Sequence, residues 1–108
     1  MALLHAQPLD IIDLHKTEDP PRATVSRSLL RSPHLQLLRI VLAAGDSLPE
    51  HHVSGDVTVQ CLYGKADVVT PSRNSRLVAG SLVMLPAGAP HVVRAHERTV
   101  LPVTLVHH

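Results

Sequence analysis

Phenylalanine and tryptophan are missing from this 108-residue chain, and its one tyrosine stands at position 63. A protein without aromatic platforms cannot recognise single-stranded nucleic acid by stacking bases, and it cannot line a sugar groove with rings. Charge of one sign is also lacking. Ten Lys and Arg face nine Asp and Glu, for a net charge of +1. A phosphate-binding surface needs clustered basic residues, and none cluster here, so nucleic acid and membrane surfaces are poor partners. A single cysteine, Cys61, excludes an intramolecular disulfide framework and the secreted scaffolds built on one. No apolar run reaches the roughly 18 residues of a membrane span. The segment Met1–Asp10 lacks the basic-then-apolar order of a signal peptide, which leads to the expectation of a cytoplasmic protein.

What is present is aliphatic. Seventeen Leu, 14 Val, 10 Ala and 3 Ile supply nearly all of a 44% hydrophobic content, ordinary for one folded domain of this length. Histidine is the other surplus, with nine residues at positions 5, 15, 34, 51, 52, 91, 96, 107 and 108. Imidazole is the commonest metal ligand and the usual acid or base near neutrality. The question is which of the nine converge.

Pattern and punctuation indicate an all-β chain. Val57, Val59, Cys61 and Tyr63 alternate with Asp56, Thr58, Gln60 and Leu62, the signature of a half-buried strand. Leu35–Leu42 is apolar on both parities, which suggests burial on both sides or a contact between subunits. Further β-branched segments occur at Ala66–Thr70, Ser81–Leu85, His91–Ala95 and Thr99–Val106, separated by Gly, Pro and Asn turns. Thr24–Arg31 fits a short helix or a strand. The polar, proline-paired segment Lys16–Arg22 reads as a loop. Strands this short, spaced about 8–12 residues apart, belong to a sandwich or barrel. The expected organisation is one domain over 1–108, with an N-terminal strand and loop in 1–24 and the barrel in 25–108.

The stretch Gly80-Ser-Leu-Val-Met-Leu-Pro86-Ala-Gly88-Ala-Pro-His91-Val-Val-Arg-Ala95 resembles the second motif of the cupin family. That motif spaces Gly, Pro, Gly and His as they stand here and ends on Asn, where this chain has Ala95. The first motif is more eroded. Gly45, His51 and Gly64 keep their places, but the second His falls on Val53 and the Glu on Val57. The resemblance covers about half the chain. It implies a double-stranded β-helix of the jelly-roll, RmlC-like type, commonly a homodimer, with a divalent metal such as Fe, Mn, Zn, Ni or Cu in the barrel. Position by position, only His51 and His91 carry over as ligands.

Two arrangements of the first motif stay open. Without a bulge, His51 and His91 line an aliphatic pocket, while His52, Asp56, Thr58 and Gln60 face away. With a bulge near Ser54-Gly55, His52 joins the metal, and Asp56 or Gln60 can stand in for the missing Glu. Gln60, Cys61 and Tyr63 are candidate pocket residues. Cys61 also fits a small buried hydrophobe, and Asp56 a solvated loop-end carboxylate. His96 shares the outward parity of Val92 and Arg94. His5, His15, His34, His107 and His108 are assigned no role.

Two functions follow. One is a metal-binding cupin acting on a small organic molecule, as an oxygenase, isomerase or decarboxylase would. The other is a metal-free binding or sensor module whose histidines orient a ligand without catalysis. In either case the expected assembly is a homodimer, with Leu9–Leu14 adding an edge strand to the partner.

Overall fold

The computed structural model describes residues 5–15, 22–51 and 54–107, with the backbone alone for residues 49–51. Nine strands follow one another among these residues: β1 (Val25–Arg31), β2 (Leu35–Leu42), β3 (Ser47–His51), β4 (Val57–Gln60), β5 (Lys65–Val69), β6 (Asn74–Val78), β7 (Leu82–Leu85), β8 (His91–Ala95) and β9 (Thr99–Val106). The segment that the sequence leaves between helix and strand is β1. None of the described residues is helical, and no helix is long and apolar enough to cross a membrane.

The strands form two sheets in which every pairing is antiparallel. One has the order β1-β2-β9-β4-β7 and the other β3-β8-β5-β6. Neighbours in space are mostly distant in sequence, as in a jelly roll, and the inner faces of the two sheets close on one core. Alternation decides which residues enter it. Val57, Val59 and Cys61 from β4 and its end meet Ala66 and Val68 of β5 and Val93 and Ala95 of β8. Leu42 and Leu101, both fully buried, sit in the same cluster. Each contributes about 2 kcal/mol by leaving water. With so few rings available, the core is built from short branched side chains on every strand.

Two bulges shape the sheets. In β1, Ser28 pairs with Leu38 and Leu30 with Leu37, so Leu29 is an extra residue. Its carbonyl accepts a bond from the Ala6 amide at 2.9 Å. In β3, Leu48 pairs with Val93 and His51 with His91, so three steps on one strand match two on the other. The extra residue falls in the Pro49-Glu50 step, where a proline can sit in a strand without breaking the ladder.

The N-terminal segment 5–15 runs from the β1 edge, where the Ala6 amide bonds the Leu29 carbonyl, to the outer face of the five-stranded sheet, where Leu14 meets Arg39. Within the single chain, residues 5–15 contain only turns and irregular chain. Side chains substitute for ladder bonds. Arg39 Nε donates to the Leu14 carbonyl at 3.2 Å, His5 and Ser28 are 2.7 Å apart, and the His15 ring is hydrogen-bonded to the Tyr63 hydroxyl. Beneath this arm, Val41 and Val100 are fully buried, although they point away from the core.

Candidate functional site

The β3–β8 ladder brings two of the three candidate ligand positions together. Register sets His51 directly opposite His91, at the end of β3 and the start of β8. Directly opposed residues of an antiparallel pair share one face of the sheet. Without the bulge, position 51 would take the face opposite to Leu48. With it, position 51 takes the same face as Leu48, which packs against the core. The parity reset thus occurs at Pro49-Glu50, ahead of the Ser54-Gly55 kink considered from sequence. His52 and Val53 lie outside the described residues.

His91 is 3% exposed, and its setting determines its chemistry. Nδ1 lies 3.2 Å from the Ala89 carbonyl oxygen. A carbonyl can only accept, so Nδ1 carries the proton, and in the neutral ring Nε2 carries the lone pair. This is the second-shell arrangement that orients metal-binding histidines. The Ala89 carbonyl is itself held in place: the Ala89 amide bonds the Pro86 carbonyl at 3.1 Å, and the Ala87 amide bonds Asp56 Oδ1 at 3.1 Å. Asp56 therefore braces the loop that aims His91. Sequence weighed it as a ligand or a solvated carboxylate; its acceptor role becomes visible only when residues 56 and 87 are seen side by side.

The other candidates disperse. Gln60 is half-buried on the outer face, opposite Leu82. Cys61 is fully buried, and its thiol donates to the carbonyls of Tyr63 at 3.3 Å and Gly64 at 3.6 Å. Burial pushes that thiol up, with Glu97 adding to the effect, so it is a packed hydrophobe and a poor nucleophile. Tyr63 is 45% exposed, with its hydroxyl on His15, and so stands on the surface under the arm and not in the barrel. Among the described residues, no three His, Cys, Asp or Glu side chains could hold a metal ion together. A cleft of about 220 Å³ opens beside His91, lined also by Val69, Thr70, Pro71, Pro90 and Val92. Val69 pairs with Val92 and both share the outward parity of Asp67 and Arg94, so this shallow cleft lies on the outer side of the four-stranded sheet, away from the inward face that His91 shares with Val93 and Ala95.

A second polar cluster lies on the outer face of the four-stranded sheet. Asp67 Oδ1 accepts from Arg76 Nε at 3.0 Å, and Oδ2 lies 2.9 Å from His96 Nε2. The Arg76 hydrogen bond, with help from His96, holds the Asp67 carboxyl well below the usual range, at about 2, although burial opposes the shift. A depressed carboxyl stabilises the fold above its unfolded value near 4 and loses that effect as pH falls through about 2. Urea titrations at pH 5 and pH 2 should show wild type losing on the order of 1–2 kcal/mol more than Asp67→Asn. Equal losses would mean that the pair contributes nothing.

Comparison with known proteins locates the fold. No protein-family model matches the chain, and no curated protein matches it. Solved structures do. A conserved protein of unknown function from Streptococcus pyogenes superposes with a TM-score of 0.80 at 24% identity, covering 97% of this chain and 96% of that one. A cupin superfamily protein from Desulfitobacterium hafniense gives 0.81 at 22% identity, with 94% of each chain covered. An RmlC-like cupin with a double-stranded β-helix from Methanocaldococcus jannaschii gives 0.76 at 18%, covering 92% of this chain and 94% of that one.

Proposed function

We propose that this chain, a small single cupin barrel by fold, binds a divalent cation through imidazoles of β3 and β8 and presents it to a small organic ligand. The observation that carries the reading is the His51–His91 register, with His91 buried and its Nδ1 proton committed to Ala89. The donor set is nitrogen only. Position 57, where the family's carboxylate ligand would stand, is Val57, 3% exposed within the core. Imidazoles without a carboxylate suit Zn²⁺, Ni²⁺ or Cu²⁺ better than the harder Mn²⁺. His51 and His91 would hold the ion, and His52 is the candidate third ligand. The ion would act as a Lewis acid toward a carbonyl or carboxylate of the ligand. Binding, not turnover, is the activity proposed.

The test is metal analysis of tag-free protein after growth in supplemented medium. About one ion per chain is expected in wild type, falling below about 0.1 in His51→Ala and His91→Ala. His52→Ala decides whether the site has three imidazoles or two. Wild type below about 0.1 would sink the cation reading. Val57 in place of an acid favours a second reading, a metal-free pocket in which His91 orients a ligand by hydrogen bonding. A ligand whose binding survives exhaustive chelation and is lost in His91→Ala would establish it.

A further inference from the structure

Strand register sets histidine against histidine twice among the described residues. His51 faces His91 across β3 and β8, in the four-stranded sheet. The second pair lies in the five-stranded sheet, outside the site described above. β2 and β9 run in unbroken register from Leu42 and Thr99 to Leu35 and Val106. The ladder continues one step further, because the His107 amide donates to the His34 carbonyl at 2.7 Å. His34 and His107 are therefore directly opposed, and their side chains leave one face of the sheet with Cβ atoms about 5 Å apart.

That face is the inner one. Position 107 keeps the parity of Leu101, Val103 and Leu105, and position 34 that of Leu38 and Ile40, all in the core or packed against it. The pair stands at the rim of the barrel where β4 begins, since Val57 pairs with Leu105, one inward position before His107. His34 is exposed, and its backbone is fixed from both sides: the amide donates to Ser32 Oγ at 3.2 Å, and the carbonyl accepts from His107. His107 is half-buried, and its Nε2 is shut away from water with no hydrogen-bond partner among the described residues. A buried polar nitrogen without a partner is costly, and an ion is one of the groups that can complete it. A turn of the ring toward His34 brings that nitrogen to the space between the two side chains and breaks no hydrogen bond made by it. Asp56 comes near the same rim, its carbonyl accepting from the Val106 amide at 2.9 Å, but its Oδ1 is spent on the Ala87 amide. The donors of the pair are nitrogen alone.

We propose that His34 and His107 form a second cation site, a two-imidazole chelate on the β2–β9 ladder that takes Cu²⁺. Neutral imidazoles with positions left for water suit Cu²⁺, which stands highest in the affinity order of such ligands. Mg²⁺ and Ca²⁺ require oxygen donors and find none in the pair. The ladder holds both residues in place before the ion arrives, so the chelate exists only in the folded chain. It shares no residue with the His51–His91 pair and does not rest on the cation proposed there.

Calorimetric titration of Cu²⁺ into chelator-stripped His91→Asn, which lacks the β8 imidazole, tests the second pair by itself. About one Cu²⁺ per chain is expected, at micromolar affinity, with no heat from Mg²⁺. Adding His34→Gln or His107→Gln to that variant should weaken binding by about 10-fold or more. Electron paramagnetic resonance of the bound Cu²⁺ should fall from two coupled imidazole nitrogens to one in either case. His108→Gln should change neither readout, which separates the cross-strand pair from the consecutive histidines 107 and 108. In an otherwise wild-type chain, His34→Gln should leave the ion proposed at His51 and His91 in place, so each site stands or fails separately. Absence of a micromolar Cu²⁺ site in His91→Asn, or affinity and spectrum indifferent to His34→Gln, would overturn the proposal.

Discussion

Replacing Gly64 by alanine is expected to cost about 3–5 kcal/mol and to lower the melting temperature by about 15 °C or more. The residue sits where the loop after β4 crosses the turn between β8 and β9, at φ +90°. A Cβ there would meet the Arg98 carbonyl oxygen at 2.3 Å, Thr99 Oγ1 at 2.6 Å and Thr99 Cα at 2.8 Å. Two of these are backbone atoms, and the third belongs to a hydroxyl that is fully buried and stitched in place. It accepts from the Lys65 amide at 3.2 Å and lies 3.1 Å from the Lys65 carbonyl and 2.8 Å from the Glu97 carbonyl. Nothing nearby is the free end of a flexible chain, so relief requires the two loops to separate. Gly45 is the control. It has φ +82° but no heavy atom within 4 Å of an added Cβ, so Gly45→Ala carries backbone strain alone, about 1–2 kcal/mol. Chemical denaturation of both variants measures the difference. Gly64→Ala no worse than Gly45→Ala would show that the crossing is looser than these distances.

Both glycines belong to the same eroded motif, and the contrast shows what a linear pattern can and cannot carry. Spacing identified them as turn positions, which is a local property. That one of them lies against a second loop is tertiary information, contributed by residues 34 and 35 positions further on. The same division runs through the site. Alternation over Val57–Cys61 marked the inward face of β4 because period two is intact there. Across the first motif the bulge lies at Pro49-Glu50, ahead of His51, and position 51 takes the inward face that alternation gave it. Pro49 inside β3 was the available sign of that bulge. The double apolar parity of Leu35–Leu42 was legible, since a strand covered on both sides has no polar face to show. What covers its outer side, the arm with Ile12 and Leu14, was not, because that segment holds its place through Arg39, Ser28 and Tyr63 and through no repeat of its own. Asp56 shows the limit most plainly. Its partner is a backbone amide 31 residues away, and backbone groups leave no trace in a sequence.

Substituting His91 by asparagine is expected to abolish cation retention while leaving the barrel folded. The two ring nitrogens do different work. Nδ1 serves the structure, giving its proton to the Ala89 carbonyl at 3.2 Å, and Nε2 is the nitrogen that the proposed function requires. An asparagine amide nitrogen sits near the place of Nδ1 and can donate the same bond, but it offers nothing at the position of Nε2. His91→Asn should therefore stay within about 1–2 kcal/mol of wild type, whereas His91→Ala also leaves the Ala89 carbonyl without its donor. Cation affinity should fall by about 100-fold or more in both variants, since loss of a ligand exceeds the 10–100-fold cost of losing its outer support. Urea denaturation and competition against a chromophoric chelator read the two effects separately. If His91→Asn kept wild-type affinity, Nε2 would not be the coordinating atom, and the His51–His91 register would be only a strand pairing. If both variants lost affinity but only alanine lost stability, the two roles of the ring would be separated, and the loop from Pro86 to Pro90, braced by Asp56, would be the element that aims the site.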